Sequence, residues 1–138
     1  MEVIHTAFRV TDLDRSKEFY IDGLGFDEKW GFVEDGVEHV YVGPKTGSDI
    51  HIFEDPSNDA PVEASSGNNI HADHSVCLLV DEDLQERFET LVARTNCHVI
   101  LEPKTIDLGT HRNTITFVAD PDGHAIELIE RLEGPPPE

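Results

Sequence analysis

The sequence contains an internal repeat, and this repeat limits the folds available to a chain of 138 residues. The first half opens with HTAFRVTDLDRSKEFYIDGLGF from His5, and the second opens with HSVCLLVDEDLQERFETLVARTNC from His74. Each copy has a histidine, an alternating apolar stretch, an acidic turn and then a stretch whose pattern predicts a helix. The chain is therefore expected to fold as two similar modules.

Local signals place a helix in each copy. In the first copy, Asp14 is expected to cap a helix that runs through Phe19 and Tyr20 and closes at Gly23 and Gly25. In the second copy, apolar side chains at helical spacing predict the helix; they are Leu84, Phe88, Leu91 and Val92.

Three strands are expected after each helix. WGFVEDGVEHVYVG predicts a hairpin around Asp35 and Gly36, and SDIHIFED predicts the next strand. In the second copy, HVILEP, NTITFVA and HAIELIER are predicted strands, and DPDG is the turn before the last of them. Each half therefore has the order βαβββ.

The predicted fold class is α+β, with two βαβββ modules related by pseudo-two-fold symmetry. Residues 1–132 are expected to form one domain, made of module one (1–57), a linker (58–70) and module two (71–132). The proline-rich end, residues 133–138, is expected to be a flexible tail.

The composition excludes several classes of partner. Twenty-nine acidic residues against ten basic ones give a net charge of −19, which disfavours nucleic acid and anionic membranes. The acidic residues are scattered, as is typical of a solvated, halophilic surface. The longest apolar runs, SVCLLV and AIELI, are too short to span a bilayer, and the chain opens on a strand pattern without a leader, which favours the cytoplasm. Cys77 and Cys97 lack CxxC spacing and are expected to be buried, reduced thiols.

One polar residue interrupts an apolar strand in each copy. Glu127 stands inside AIELI, and the corresponding position of the first copy is His51. A buried carboxylate is unfavourable unless it meets a cation or a proton. His5 and His74 stand at the starts of the two copies, so a pseudo-two-fold arrangement would bring the four residues together. We therefore predict that His5, His51, His74 and Glu127 bind one divalent metal ion.

Three imidazoles and one carboxylate suit a first-row divalent ion and leave room for water or substrate. These donors do not distinguish zinc, nickel, iron and manganese.

The third ligand has a competitor. His71 precedes His74 in IHADH, and His74 is preferred because it starts the apolar run, as His5 does. Val10 follows His5 by five positions, whereas Val80 follows His74 by six, and a slip of one residue turns a strand side chain to the other face.

The other histidines are expected to lie outside the metal site. His39, in the hairpin, and His98 are expected to be exposed, and His124 is expected to lie on the surface after the DPDG turn. His111 stands at a loop end and is a candidate for the mouth of the cleft.

At these residues the chain resembles the vicinal-oxygen-chelate superfamily, which includes glyoxalases, bleomycin resistance proteins and extradiol dioxygenases. HTAFRVTDLDRSKEFYIDGLGF is similar to the opening of the family's small glyoxalase I-like members, and FVADPDGHAIELIE to their closing signature. The resemblance implies paired βαβββ modules that form a curved mixed sheet around a metal-binding cleft, and commonly a homodimer. It also implies one divalent ion per site and a small-molecule substrate.

The resemblance places the family's metal positions on His5, His51, His74 and Glu127. Glyoxalase I has a glutamate where this chain has His51, so the chain departs from the family at that position. Arg9 matches a position that helps to hold the anionic end of the substrate.

The resemblance implies a lyase that isomerises the hemithioacetal of a 2-oxoaldehyde, by proton transfer through an enediolate held on the metal. Glu127 is then the base, because it is the one carboxylate among the four predicted ligands. Two alternatives remain open: an extradiol-type ring-cleaving dioxygenase, whose branch uses two histidines and one glutamate on iron, and a metal-free binding or resistance protein. The full set of predicted ligands disfavours the metal-free alternative.

The charge of −19 predicts that salt stabilises the fold. Repulsion among the acidic residues is screened when the Debye length falls to about 3 Å at 1 M salt. We expect the melting temperature to rise between dilute buffer and molar sodium chloride. A flat or falling curve, measured by circular dichroism, would show that the acidic residues are already paired or too far apart to repel.

Overall fold

The computed structural model describes residues 1–62 and 74–132. The chain divides into two units, Met1–Glu63 and Ala64–Glu138. The elements of the first are β1 (His5–Arg9), α1 (Leu13–Lys17) with a π-helical continuation (Glu18–Gly23), β2 (Asp27–Glu34), β3 (Val37–Gly43) and β4 (Asp49–Glu54). Those of the second are β5 (Val76–Leu79), α2 (Leu84–Thr95), β6 (His98–Asp107), β7 (Arg112–Ala119) and β8 (Ala125–Arg131).

Each module forms a four-stranded mixed sheet. The strand order is β1-β4-β3-β2 in module one and β5-β8-β7-β6 in module two. In both, the first strand is parallel to the last, and the remaining neighbours are antiparallel. The two βαβββ modules predicted from the repeat are confirmed. The exact linker and tail boundaries, which fall mostly outside the described residues, remain predictions.

The first helix begins earlier than the sequence pattern predicted. Asp12, not Asp14, is the N-cap, and its side chain accepts a hydrogen bond from the backbone N–H of Arg15. Asp14 lies in the first turn, where a negative charge interacts favourably with the helix dipole. Asp83 caps α2 in the same way, by accepting from the N–H of Glu86. The two helices therefore start with equivalent caps.

A second carboxylate in each module joins the last strand to the helix start. Glu54, at the end of β4, accepts a hydrogen bond from the N–H of Leu13 at 2.7 Å. Glu130, in β8, accepts from the N–H of Leu84 at 2.8 Å. These carboxylates bind N–H groups that have no partner within a helix, so they hold each helix against the end of its sheet.

The apolar core of each module lies on the helix side of its sheet. α1 contacts β4, and α2 contacts β6, β7 and β8. Ile50 and Ile52 are buried on either side of His51, and Ile126 and Leu128 are buried on either side of Glu127. Since successive side chains of a strand point to opposite faces, the two polar residues lie on the face away from the helix.

The hairpin between β2 and β3 turns at Asp35 and Gly36, as predicted. Both residues have positive φ, 52° and 80°, which is the backbone conformation of the two-residue turns that match strand twist. This turn determines which residues of β2 and β3 lie opposite each other.

Three local expectations were wrong. His124 is buried, in a turn where the carboxylate of Asp120 accepts hydrogen bonds from the N–H groups of Asp122 and His124. Cys77 is exposed and Cys97 is half-buried, although both are free thiols. His39 is half-buried and not exposed, because it packs among aromatic side chains.

His98 is exposed, as expected. His111, a candidate for a cleft mouth, is buried. No helix within residues 1–62 and 74–132 combines the length and the hydropathy that crossing a bilayer would require.

The paired carboxylates at the helix starts generate a stability prediction. Replacing Glu54 or Glu130 by alanine leaves a helix N–H without its acceptor, so each change should lower the free energy of unfolding by about 1–3 kcal/mol. Glutamine, which keeps an oxygen acceptor without the charge, should lose less. Glu102, an exposed residue of β6, provides the control, since Glu102→Ala should change stability by less than about 0.5 kcal/mol. Equal urea unfolding midpoints for all these variants would contradict the assigned role.

Candidate functional site

His51 and Glu127 occupy the same place in their modules. His51 lies opposite Ala7 in the parallel pair of β1 and β4, and Glu127 lies opposite Cys77 in the parallel pair of β5 and β8. The register continues in the same way in both modules. The N–H of Val10 donates to the carbonyl of Phe53, two residues after His51, and the N–H of Val80 donates to the carbonyl of Ile129, two residues after Glu127. The correspondence of His51 with Glu127 that the repeat predicted agrees with this register.

The same register does not match His5 with His74, the second pair predicted from the repeat, but is offset from it by one residue. His5 stands two positions before Ala7, and the residue two positions before Cys77 is Ser75. The structure therefore matches Ser75, not His74, to His5. His74 precedes the start of β5 at Val76, so strand alternation does not determine its direction, and its role as a metal ligand remains a prediction. His71, the competing candidate, lies outside the described residues.

Module one gathers three imidazoles on the face of the sheet away from α1. The rings of His5 and His51 lie edge to face, with centroids 5.5 Å apart. Nδ1 of His39 and Nε2 of His51 are 2.8 Å apart, within hydrogen-bonding distance. The structure thus brings together the two ligands predicted in this module and adds His39, which sequence reasoning had excluded.

Aromatic stacking holds these rings in place. Tyr41 stacks on His51 with centroids 4.3 Å apart and an interplanar angle of 12°. Phe32 stacks on His39 at 4.3 Å and 8°, and Trp30 stacks on Tyr41 at 4.2 Å and 3°. The row of rings crosses the sheet from β2 to β4 and restricts rotation of both histidines.

The surroundings of His51 favour its neutral form. Burial lowers the pKa of His51, and the charges of His39 and His5 lower it further. A neutral imidazole offers a nitrogen lone pair, which is the form in which histidine binds metal ions.

Module two supplies a carboxylate beside a thiol. Burial raises the pKa of Glu127, and a hydrogen bond from the Cys77 side chain offsets part of that rise. The pKa of the Cys77 thiol is itself raised from 9.0 to about 11, first by burial and then by the Glu127 charge. Although part of the Cys77 residue is exposed, its thiol stays protonated at neutral pH and donates to the Glu127 carboxylate.

Arg9 holds the chain that follows β4. Its Nη2 donates to the carbonyl oxygens of Ala60 at 2.9 Å and Pro61 at 3.1 Å. Arg9 alternates with Ala7 and His5 along β1, so it belongs to the face that carries His51. Its predicted contact with the anionic end of a substrate remains a prediction.

Neither module gathers a full ligand set by itself. Among the residues that the structure describes, no group of three or more His, Cys, Asp or Glu side chains within one module lies close enough together to hold a metal ion. His5 and His51 lie in module one and Glu127 lies in module two, so their convergence on one ion remains a prediction.

Two kinds of comparison, with a family model and with curated proteins, point to one group of proteins. A family model described as Glyoxalase/Bleomycin resistance protein/Dioxygenase superfamily matches residues 2–128. A protein of Synechocystis sp. named probable lactoylglutathione lyase is 32% identical over 132 residues, which are 94% of this chain and 95% of that protein. The lactoylglutathione lyase of Neisseria meningitidis serogroup A is 31% identical over 136 residues, 97% of this chain and 94% of that protein.

A solved structure shows the same fold. The crystal structure of glyoxalase I from Zea mays matches with a TM-score of 0.71 and 21% sequence identity. The match covers 99% of this chain and 47% of the maize chain.

The contact between Cys77 and Glu127 predicts a pH profile for the thiol. Folding favours the protonated thiol, so its contribution to stability is present below pH 9.0 and is lost as the pH rises through about 11. In a Cys97→Ala background, we expect slow alkylation of Cys77 near neutral pH, because little thiolate is present.

Glu127→Gln removes the negative charge that raises the thiol pKa, so the alkylation profile should move to lower pH. Glu102→Gln is the matched control and should leave the profile in place. Identical profiles for Glu127→Gln and the parent, measured on chelator-treated protein, would show that the carboxylate does not act on the thiol.

Proposed function

Because the chain belongs to the glyoxalase/bleomycin resistance protein/dioxygenase superfamily, we propose that it is a divalent-metal-dependent, glyoxalase I-like lyase. Its proposed substrate is the hemithioacetal that a 2-oxoaldehyde forms with a thiol. The observation that carries the proposal is the half-buried carboxylate of Glu127 at the position that His51 holds in module one.

The chemistry of the side chains supports a divalent ion. Burial disfavours the charged form of Glu127, and a bound cation would offset that cost. The lowered pKa of His51 favours its neutral form beside His5, and a neutral imidazole can donate a nitrogen lone pair to an ion. We propose His5, His51, His74 and Glu127 as the ligands of one ion per site, with zinc, nickel, iron and manganese all compatible with nitrogen and oxygen donors. A bound ion would polarise the substrate oxygens and stabilise the negative charge that develops on them.

Glu127 is the proposed general base. The reaction needs a proton to leave the carbon that bears sulfur and to reach the adjacent carbonyl carbon, which converts the hemithioacetal into a thioester of a 2-hydroxy acid. Burial makes the carboxylate a stronger base by raising its pKa, and it can return the same proton to the neighbouring carbon. The Cys77 thiol, which donates to this carboxylate, steadies its orientation.

Arg9 is proposed to hold the anionic end of the substrate, on the face of β1 that also carries His5. A homodimer, which the resemblance implies, also remains a prediction.

Replacing the base should separate catalysis from metal binding. Glu127→Gln keeps the shape and an oxygen atom but removes the basicity, so turnover with methylglyoxal and a thiol should fall by about 10²–10⁴-fold. Metal content, measured by elemental analysis, should fall much less than turnover. Glu102→Gln is the matched control and should retain full activity.

His51→Glu is the companion variant. It restores the carboxylate that the resemblance places at this position, so it should raise isomerase activity. If Glu127→Gln remains active with its metal bound, another residue moves the proton. If the iron-loaded protein cleaves a catechol ring and forms no thioester, the extradiol alternative replaces the lyase.

A further inference from the structure

His39 has no part in the proposed mechanism, yet it makes the closest polar contact to a predicted ligand in module one. Nδ1 of His39 lies 2.8 Å from Nε2 of His51. The resemblance places a glutamate at position 51, and a carboxylate has no tautomers. A histidine at that position does, and only a nitrogen that carries no proton can bind a metal ion.

The contact couples the tautomers of the two rings. When both rings are neutral, one nitrogen of the pair must carry the proton and the other must accept it. If Nδ1 of His39 carries the proton, the Nε2 lone pair of His51 is occupied and its Nδ1 is protonated. If Nε2 of His51 carries the proton, Nδ1 of His39 accepts the hydrogen bond. Nδ1 of His51 then carries no proton and has a free lone pair.

The sheet register indicates on which side of β4 that lone pair is expected. His39 lies opposite Phe53, and His5 lies opposite Asp49, so the two flank His51 in opposite directions along β4 and on different neighbouring strands. The two nitrogens of an imidazole ring point in nearly opposite directions. With Nε2 directed at His39, Nδ1 of His51 is expected on the side of β4 on which His5 lies.

Packing keeps the pair in this arrangement. Phe32 stacks on His39 and Tyr41 stacks on His51, and in both pairs the ring planes are nearly parallel. Turning Nε2 of His51 towards an ion would break the 2.8 Å contact with Nδ1 of His39.

We propose that His39 is a positioning residue that accepts a hydrogen bond from Nε2–H of His51 and thereby presents Nδ1 of His51 to the metal ion beside His5. The inference rests on the proposed function, since it names the atom by which a predicted ligand binds. It assigns to His39 the role that partners of metal-binding histidines have in general, which is to select the tautomer and the ring orientation.

Nuclear magnetic resonance of the full chain tests the assignment directly. The protein, labelled with an isotope on its histidine nitrogens, is treated with chelator and then loaded with a spin-active cadmium isotope. We expect scalar coupling between cadmium and Nδ1 of His51, with Nε2 of His51 protonated. Coupling to Nε2 of His51, or to Nδ1 of His39, would overturn the proposal, because in either case the ion replaces the hydrogen bond.

Two substitutions of His39 give a second readout, the affinity for zinc. His39→Phe keeps a ring that can stack on Phe32 but has no acceptor, so zinc affinity should fall by about 10–100-fold. His39→Asn places its amide oxygen where Nδ1 of histidine lies and should recover most of the affinity. His98→Phe, at an exposed position of β6, is the matched control and should bind zinc like the parent.

Unchanged affinity in folded His39→Phe would overturn the positioning role. If His39→Phe does not fold, the cadmium couplings and His39→Asn still decide. The experiments distinguish the positioning role of His39 from the proposed lyase activity. Cadmium bound to Nδ1 of His51 without thioester formation would refute the lyase activity alone. An active lyase with cadmium on Nε2 of His51 refutes the role of His39 alone.

Discussion

The parallel pairing of the first strand with the last is the interaction on which each module depends. β1 pairs with β4 and β5 pairs with β8, across a helix and two antiparallel strands. This pairing places His51 beside Ala7 and Glu127 beside Cys77, although the partners are more than forty residues apart in the chain. Parallel strands need such a crossover connection. In both modules a carboxylate of the last strand accepts a hydrogen bond from the N-terminus of the helix and so holds the connection against the sheet. The position of every predicted ligand within a strand follows from this pairing.

The two modules place different kinds of side chain at the same position of the last strand, His51 in module one and Glu127 in module two. In module one it carries an imidazole whose pKa is lowered by burial and which is held by stacked aromatic rings and a second imidazole. In module two it carries a carboxylate whose charge is disfavoured by burial and which a thiol supports with a hydrogen bond. Buried polar groups are stable only when they are paired, and each module provides that pairing through the adjacent strand.

Much of the fold could be predicted from the sequence, because it depends on local patterns that repeat. The modules, the Asp35–Gly36 hairpin and the correspondence of His51 with Glu127 follow from alternation and turn residues. His39 was missed because its contact depends on cross-strand register. The alternation of His39 and Tyr41 with buried Val40 and Val42 was the signal that could have placed it on the site face.

The predicted correspondence of His5 with His74 does not agree with the register of the structure, because His74 precedes the first residue of β5. Val80 and Cys77 align with Val10 and Ala7, and that alignment reaches Ser75 before it reaches His74. The spacing of the two histidines from Val10 and Val80 already indicated this offset, but only the hydrogen-bond register shows which residue matches His5. The same reasoning explains why the departure at His51 and the presence of His39 belong together. A carboxylate ligand can bind through either oxygen, whereas an imidazole must present one particular nitrogen, so exchanging glutamate for histidine creates a need for the hydrogen-bond partner that β3 supplies.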